Sequence, residues 1–280
     1  MLPTFVIGLR EGLEAALIVG IIAAFLSQQG RRDALRQVWL GVGIAVLLCI
    51  GIGITLQVIS QRLPQRGQEG LETVIGALAV VMVTYMVLWM AKHSRGLKRE
   101  LEGATASALA QGSTFALVAM AFLAVLREGF ETAVFLLALL NSSGNAALAT
   151  LGAALGVLVA AAIGYGIYRG GVRLNLSRFF RITGVVLVIV AAGLVMSSLH
   201  TAYEADWITI GQQPALDLSW LVVQGTPLYS LFSGVLGVQP KPSVIELTGW
   251  LVYAVPMLAY VLWPRTAKSN QDSKMGATSS

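Results

Sequence analysis

Charge is scarce in this chain of 280 residues: 12% are Asp, Glu, Lys or Arg, while 56% are hydrophobic. A soluble domain usually carries about twice that charged fraction. One cysteine, Cys49, excludes a disulfide framework and a thiolate metal site within one chain. Only two histidines are present, His93 and His200, and neither belongs to the His-Glu-x-x-His pattern of zinc proteases. No Asp falls inside the long apolar runs, so an aspartyl dyad within the membrane is excluded. The histidines end two runs on opposite sides, which also rules out joint ligation of a haem. These absences leave little room for a membrane enzyme.

Long apolar runs are abundant. Val38–Ile59, Val74–Ala91, Ala146–Tyr168, Ile182–Leu199 and Leu247–Trp263 are uncharged, and crossing a bilayer takes roughly 20 apolar residues. Thr4–Leu26 and Phe115–Leu140 are as apolar except for one charged cluster each. The expectation is an all-α polytopic membrane protein with seven transmembrane helices. The N-terminal run lacks a basic leader and a small-residue cleavage site, so it reads as a retained first helix.

The predicted loops are 27–37, 60–73, 92–114, 141–145, 169–181 and 200–246, followed by a polar tail at 265–280. Fourteen Lys and Arg residues fall in the first, third and fifth loops and the tail, against three in the others. Basic residues mark the cytoplasmic side. The N-terminus is therefore expected outside and the C-terminus in the cytoplasm. A net charge of +5 distributed this way reflects topology and not nucleic-acid binding. Residues 220–237 are apolar but broken by Gly225, Pro227, Gly234 and Gly237, so an interfacial or re-entrant segment is expected there.

One pattern occurs twice. Leu9-Arg10-Glu11-Gly12-Leu13-Glu14 returns as Leu126-Arg127-Glu128-Gly129-Phe130-Glu131, in spans one and four. A three-span unit used twice must insert in opposite orientations, the architecture of transporters whose sites lie between inverted repeats. The predicted permease domain covers 1–264, with repeat one at about 1–93, repeat two at about 115–204 and a seventh span at about 247–264.

Each motif puts one Arg and two Glu inside a membrane helix, where an ionised group costs roughly 2.5–3.5 kcal/mol. Glu11 and Glu14 share a helical face, as do Glu128 and Glu131. Arg10 and Arg127 reach Glu14 and Glu131 at i,i+4. An Arg–Glu lock between helices needs one carboxylate per Arg, yet each motif supplies two. Two facing motifs sum to −2, a deficit that a cation relieves. Carboxylates are hard ligands, suited to Mg, Ca, Mn or iron. At 1.5 Å per residue, all four carboxylates fall within a band ~8 Å deep near the midplane. A single shared site is expected.

These residues carry a resemblance. Two Arg-Glu-Gly-x-Glu motifs on spans one and four of seven resemble the oxidase-dependent iron permease family of bacteria and fungi. The similarity runs from Leu2 to about Pro264 and includes Met-Leu-Pro-Thr-Phe at the start, Arg173-Leu174-Asn175-Leu176, Ala191-Ala192-Gly193-Leu194 and Pro242-Ser243-Val244. Where bacterial members often read His-Glu-Ala-Gly, this chain has Tyr203-Glu204-Ala205-Asp206, with His200 one turn earlier. The resemblance implies a multi-pass iron permease of the bacterial inner membrane in which Glu11, Glu14, Glu128 and Glu131 bind iron in transit. It implies a periplasmic iron-binding protein and a peroxidase- or oxidase-like partner, with iron as cargo and no tightly bound cofactor. The rival is a proton-coupled carrier or exchanger of Mn or Ca using the same carboxylates.

Glu69 and Glu72 echo the motif without its Arg. With Glu204 they are candidates for cation recruitment at the outer mouth. The other outer acids, Asp206, Asp217 and Glu246, read as ordinary solvated residues. Cys49 and Met82, Met86 and Met90 read as packing residues.

Overall fold

A computed structural model describes residues 1–93, 103, 114–142, 146–168, 175–220 and 238–263. Its named elements are seven α-helices: α1 (Leu2–Gln28), α2 (Arg32–Arg62), α3 (Gln65–His93), α4 (Thr114–Ser142), α5 (Ala146–Tyr168), α6 (Leu176–Glu204) and α7 (Val244–Leu262). No strand occurs among the described residues; there is one isolated bridge, Pro214 with Ser243. Five helices (α2, α3, α5, α6 and α7) are long and apolar enough to cross a membrane by length and composition. In α1 and α4 the motif puts three charged residues within six, which lowers hydropathy where the chemistry sits.

Several boundaries differ from the sequence expectation. The predicted loop 60–73 shrinks to Leu63 and Pro64, so Glu69 and Glu72 lie within α3. Leu63 is extended at the end of α2, as a residue before proline prefers, and Pro64 then starts the next turn. The predicted loop 200–246 gives up residues at both ends, to α6 through Glu204 and to α7 from Val244. Helix α6 closes with Trp207 N–H donating to Ala202 O and Asp206 N–H to Tyr203 O. That Schellman-type stop needs a left-handed residue, and Asp206 supplies it at φ 62°. Most of the predicted re-entrant segment and the polar tail lie outside the described residues.

Packing follows from small residues. Helix α1 makes its most extensive contact with α5. A Cβ added to Gly8 would strike the Ala153 carbonyl oxygen, and one on Gly156 the Phe5 carbonyl oxygen, so the two backbones touch. Partner numbers rise together, from Gly152 beside Met1 to Gly164 beside Ala16, and the pair is therefore parallel. Helices α2 and α4 are parallel by the same reasoning: Gly41 meets Val118, Cys49 meets Gly129 and Gly53 meets Ala133. Helices α3 and α6 are antiparallel, with Thr73 and Thr201 hydroxyls 2.7 Å apart and Gly76 against Ser198.

Helices α1 and α4 are also antiparallel. Val6 and Ile7 share a cluster with Val134, Phe135, Leu137, Ala138 and Leu139, while Ile22 and Leu26 share another with Leu117 and Ala121. This brings the two motifs alongside each other. Elsewhere the chain turns large apolar side chains outward, Leu40, Leu47 and Ile54 on α2 among them. An exposed apolar surface of this extent suits lipid and not water.

Candidate metal-binding site

Oxygen atoms of Glu11, Glu128 and Glu131 lie within 4.8 Å of one another, and all three residues are buried. The helical period explains the grouping. Positions three apart share a face, so Glu128 and Glu131 point together from α4, and antiparallel α1 presents Glu11 to them. The Glu11 and Glu128 carboxyl groups face each other, and no donor from another residue type reaches either Glu11 oxygen or Glu128 Oε2. Buried polar atoms are nearly always satisfied, so these orphans need an explanation. A cation between the two helices supplies one.

Glu14 is buried beside the trio and interacts electrostatically with Glu131. Its Oε1 lies 3.4 Å from Arg10 Nη2, while Arg10 Nη1 is 3.8 Å from Glu11 Oε1. On α4, Arg127 Nε donates to Glu131 Oε1 at 3.0 Å and lies 3.9 Å from Glu128 Oε1. Each Arg thus spans both carboxylates of its own motif. It orients them and offsets part of their mutual repulsion.

The two arginines differ in surroundings. The Arg10 side chain is 1% exposed, and its guanidinium lies 5.9 Å from the Phe180 ring centroid. The Arg127 side chain is 53% exposed, on a stripe with Leu123 and Phe130. The motif glycines permit the close approach. A Cβ on Gly12 would sit 2.8 Å from Ala160 Cβ, and one on Gly129 2.6 Å from Cys49 Sγ.

A second polar group spans α3, α6 and α7. The Glu69 and Glu204 carboxyl groups meet across α3 and α6. His200 Nε2 lies 3.5 Å from Glu204 Oε1, and His200 Nδ1 is 2.9 Å from Glu246 Oε1. Glu72 accepts from Gln68 Nε2 at 3.3 Å on its own helix. The sequence reading of Glu246 as solvated is wrong. It is 2% exposed, forms a capping box with Ser243 at the start of α7 and holds His200. The signal was legible as Ser243-x-x-Glu246 ahead of an apolar run. His200 ties α6 to α7 through Glu246. Asp206 and Asp217 are surface residues, paired with Arg66 at 2.8 Å and Lys241 at 3.3 Å. Bonds from Ser219 and Lys241 hold the Asp217 carboxyl below the usual carboxylate range.

Residues 1–271 match the iron permease FTR1 family. The chain is 41% identical over 268 residues to ferrous iron permease EfeU of Escherichia coli O6:K15:H31, covering 95% of this chain and 97% of that one. Ferrous iron permease EfeU of Yersinia pestis is 40% identical over 269 residues, with 95% of each chain covered. No solved structure matches the chain.

Proposed function

We propose that this chain, which belongs to the iron permease FTR1 family, carries iron inward across the bacterial cytoplasmic membrane through one site shared by its two Arg-Glu-Gly-x-Glu motifs. The observation that supports this is the meeting of Glu11, Glu128 and Glu131 oxygens within 4.8 Å in an apolar interior. Glu14 completes a set of four carboxylates against two arginines, a formal −2 that a divalent cation balances. Oxygen-only ligands suit a hard or borderline ion, and both EfeU relatives are named ferrous iron permeases. Binding is by exchange of water for carboxylate oxygens, so no catalytic step is needed and the protein acts as a carrier and not an enzyme.

In this reading α1 and α4 also cross the bilayer, giving seven spans. The 3+3 inverted repeat draws support from the packing. Exchanging α1 with α4, α2 with α5 and α3 with α6 turns the parallel pair α1–α5 into the parallel pair α4–α2. It also returns α3–α6 and α1–α4 to themselves, each antiparallel, as an in-plane two-fold requires. The basic loops place the N-terminus outside and the C-terminus in the cytoplasm. Glu69, Glu72 and Glu204 then stand at the outer ends of α3 and α6, where their charge draws cations toward the site. Iron reaches that mouth from a periplasmic iron-binding protein and a peroxidase- or oxidase-like partner.

Uptake of radioactive iron into proteoliposomes, with Mn, Mg and Ca as competitors, tests the reading. Iron uptake that excess Mn and Ca leave nearly unchanged supports it. Uptake of Mn or Ca in preference to iron would replace it with the rival carrier or exchanger.

A further inference from the structure

Arg10 and Arg127 occupy equivalent places in the two motifs, but only one of them is covered. Both side chains reach forward along their helices, Arg10 to Glu14 and Arg127 to Glu131. Because α1 and α4 are antiparallel, the two guanidinium groups point to opposite ends of the site. At the Arg10 end stands Phe180, from the second turn of α6. Its ring faces the guanidinium at 5.9 Å, it is 5% exposed, and it packs edge-to-face on Phe179 at 5.3 Å. Arg10 Nε and Nη1 have no hydrogen-bond partner there. At the Arg127 end the side chain is half-exposed.

The corresponding helices of the two repeats differ in sequence at this point. Aligning Thr73-Val74-Ile75-Gly76 with Arg181-Ile182-Thr183-Gly184 sets Glu72 of α3 opposite Phe180 of α6. Helix α3 thus carries a carboxylate, which meets Gln68 and Glu204, at the position where α6 carries an aromatic ring. A carboxylate attracts a cation and admits water. A ring excludes water and holds an arginine by its face. An ion seated between Glu11 and Glu128 has a closed apolar plug on the α6 side. The plug lies near the first turn of α6, beside Arg178 and Arg181, which the proposed orientation puts at the cytoplasmic surface.

We propose that Phe180 is the gate on the exit side of the site: it seals the cytoplasmic end by lying over Arg10, and iron leaves when the ring swings away. This rests on the permeation reading above. The gate is a positioning and sealing residue, not a ligand, so its loss opens the exit without removing the site.

The test uses a protein with Cys49→Ala and Thr183→Cys in inside-out vesicles, treated with a membrane-impermeant maleimide. Thr183 is buried one turn beyond Phe180 on the same face. With Phe180 in place, labelling at 183 should be slow. With Phe180→Ala it should rise many-fold, and with Phe180→Leu, which keeps bulk but loses the ring, it should fall between. Equilibrium binding of iron(II) to purified Phe180→Ala should match the parent. Equal labelling in the Phe, Leu and Ala proteins would overturn the gate, and so would failure of both variants to fold, which would make Phe180 a packing residue. Absence of iron binding in the parent would refute the permeation reading instead, a result that the labelling rates do not depend on.

Discussion

Motif one and motif two spell the same chemistry and sit in different surroundings. Between Pro3 and Ala24 no residue of α1 is exposed, and α5 lies against it backbone to backbone. Helix α4 instead leaves Leu123, Arg127 and Phe130 on an open face, with α2 covering the other side. The same six-residue pattern is thus a wall sealed by the rest of the chain in one repeat and a wall left open by it in the other. In the proposed reading the two copies of the motif supply the ligands, and they differ in what surrounds them.

The largest expected effect treats the motifs as equals. Glu11→Gln and Glu128→Gln should each reduce iron uptake to the level of vesicles without the protein, with insertion and expression unchanged. Gln keeps the shape and loses the charge that balances the cation. If one variant fails while the other transports normally, the motifs are not halves of one site.

The arginines should separate the motifs. Removing one partner of a fully buried ion pair costs about 3–5 kcal/mol, and the cost is smaller where the removed partner is half-exposed, as Arg127 is. Arg10→Ala should lower thermal stability in detergent sharply. Arg127→Ala should lower stability less than Arg10→Ala while cutting uptake several-fold, because Glu131 loses its orienting donor. Equal stability losses would erase the distinction between sealed and open walls.

The glycines sharpen it further. Gly12→Ala meets Ala160 Cβ at 2.8 Å in the tight α1–α5 seam, and Ala160→Gly should restore function. Gly129→Ala meets Cys49 Sγ at 2.6 Å, a side chain that Cys49→Ala removes, so that pair should also rescue. Uptake measured for the two double variants checks both seams. Rescue in neither case would contradict the packing described.

Much of this was legible beforehand because charge inside an apolar run is conspicuous. Glu11, Glu14, Glu128 and Glu131 stand out for that reason, and the i,i+3 and i,i+4 spacings orient them. The helix ends were less legible. Hydropathy cannot tell a polar helical turn from a loop, so Glu69, Glu72 and Glu204 fell into predicted loops although the chain continues helical through them. The capping box of Ser243 and Glu246 was legible locally, but the bond from Glu246 to His200, 46 residues away, exists only through the α6–α7 packing. The covering of Arg10 by Phe180 was hidden for the same reason, since no local pattern in Phe179-Phe180 announces a cation across 170 residues.

The smallest effect concerns the stop of α6. Asp206→Gly removes a side chain from a left-handed position and breaks only an exposed pair with Arg66. Stability should rise or stay level, within ~1 kcal/mol. A clear loss in the melting temperature would mean that the Arg66 pair holds the loop.

The shared site is the claim on which the rest depends, and ion stoichiometry tests it most directly. Equilibrium binding of iron(II) under anaerobic conditions should give one tight ion per chain of the purified protein. Glu11→Gln alone and Glu128→Gln alone should each abolish it. Two ions in the parent, with one surviving in each variant, would show that the motifs bind separately and would contradict the account.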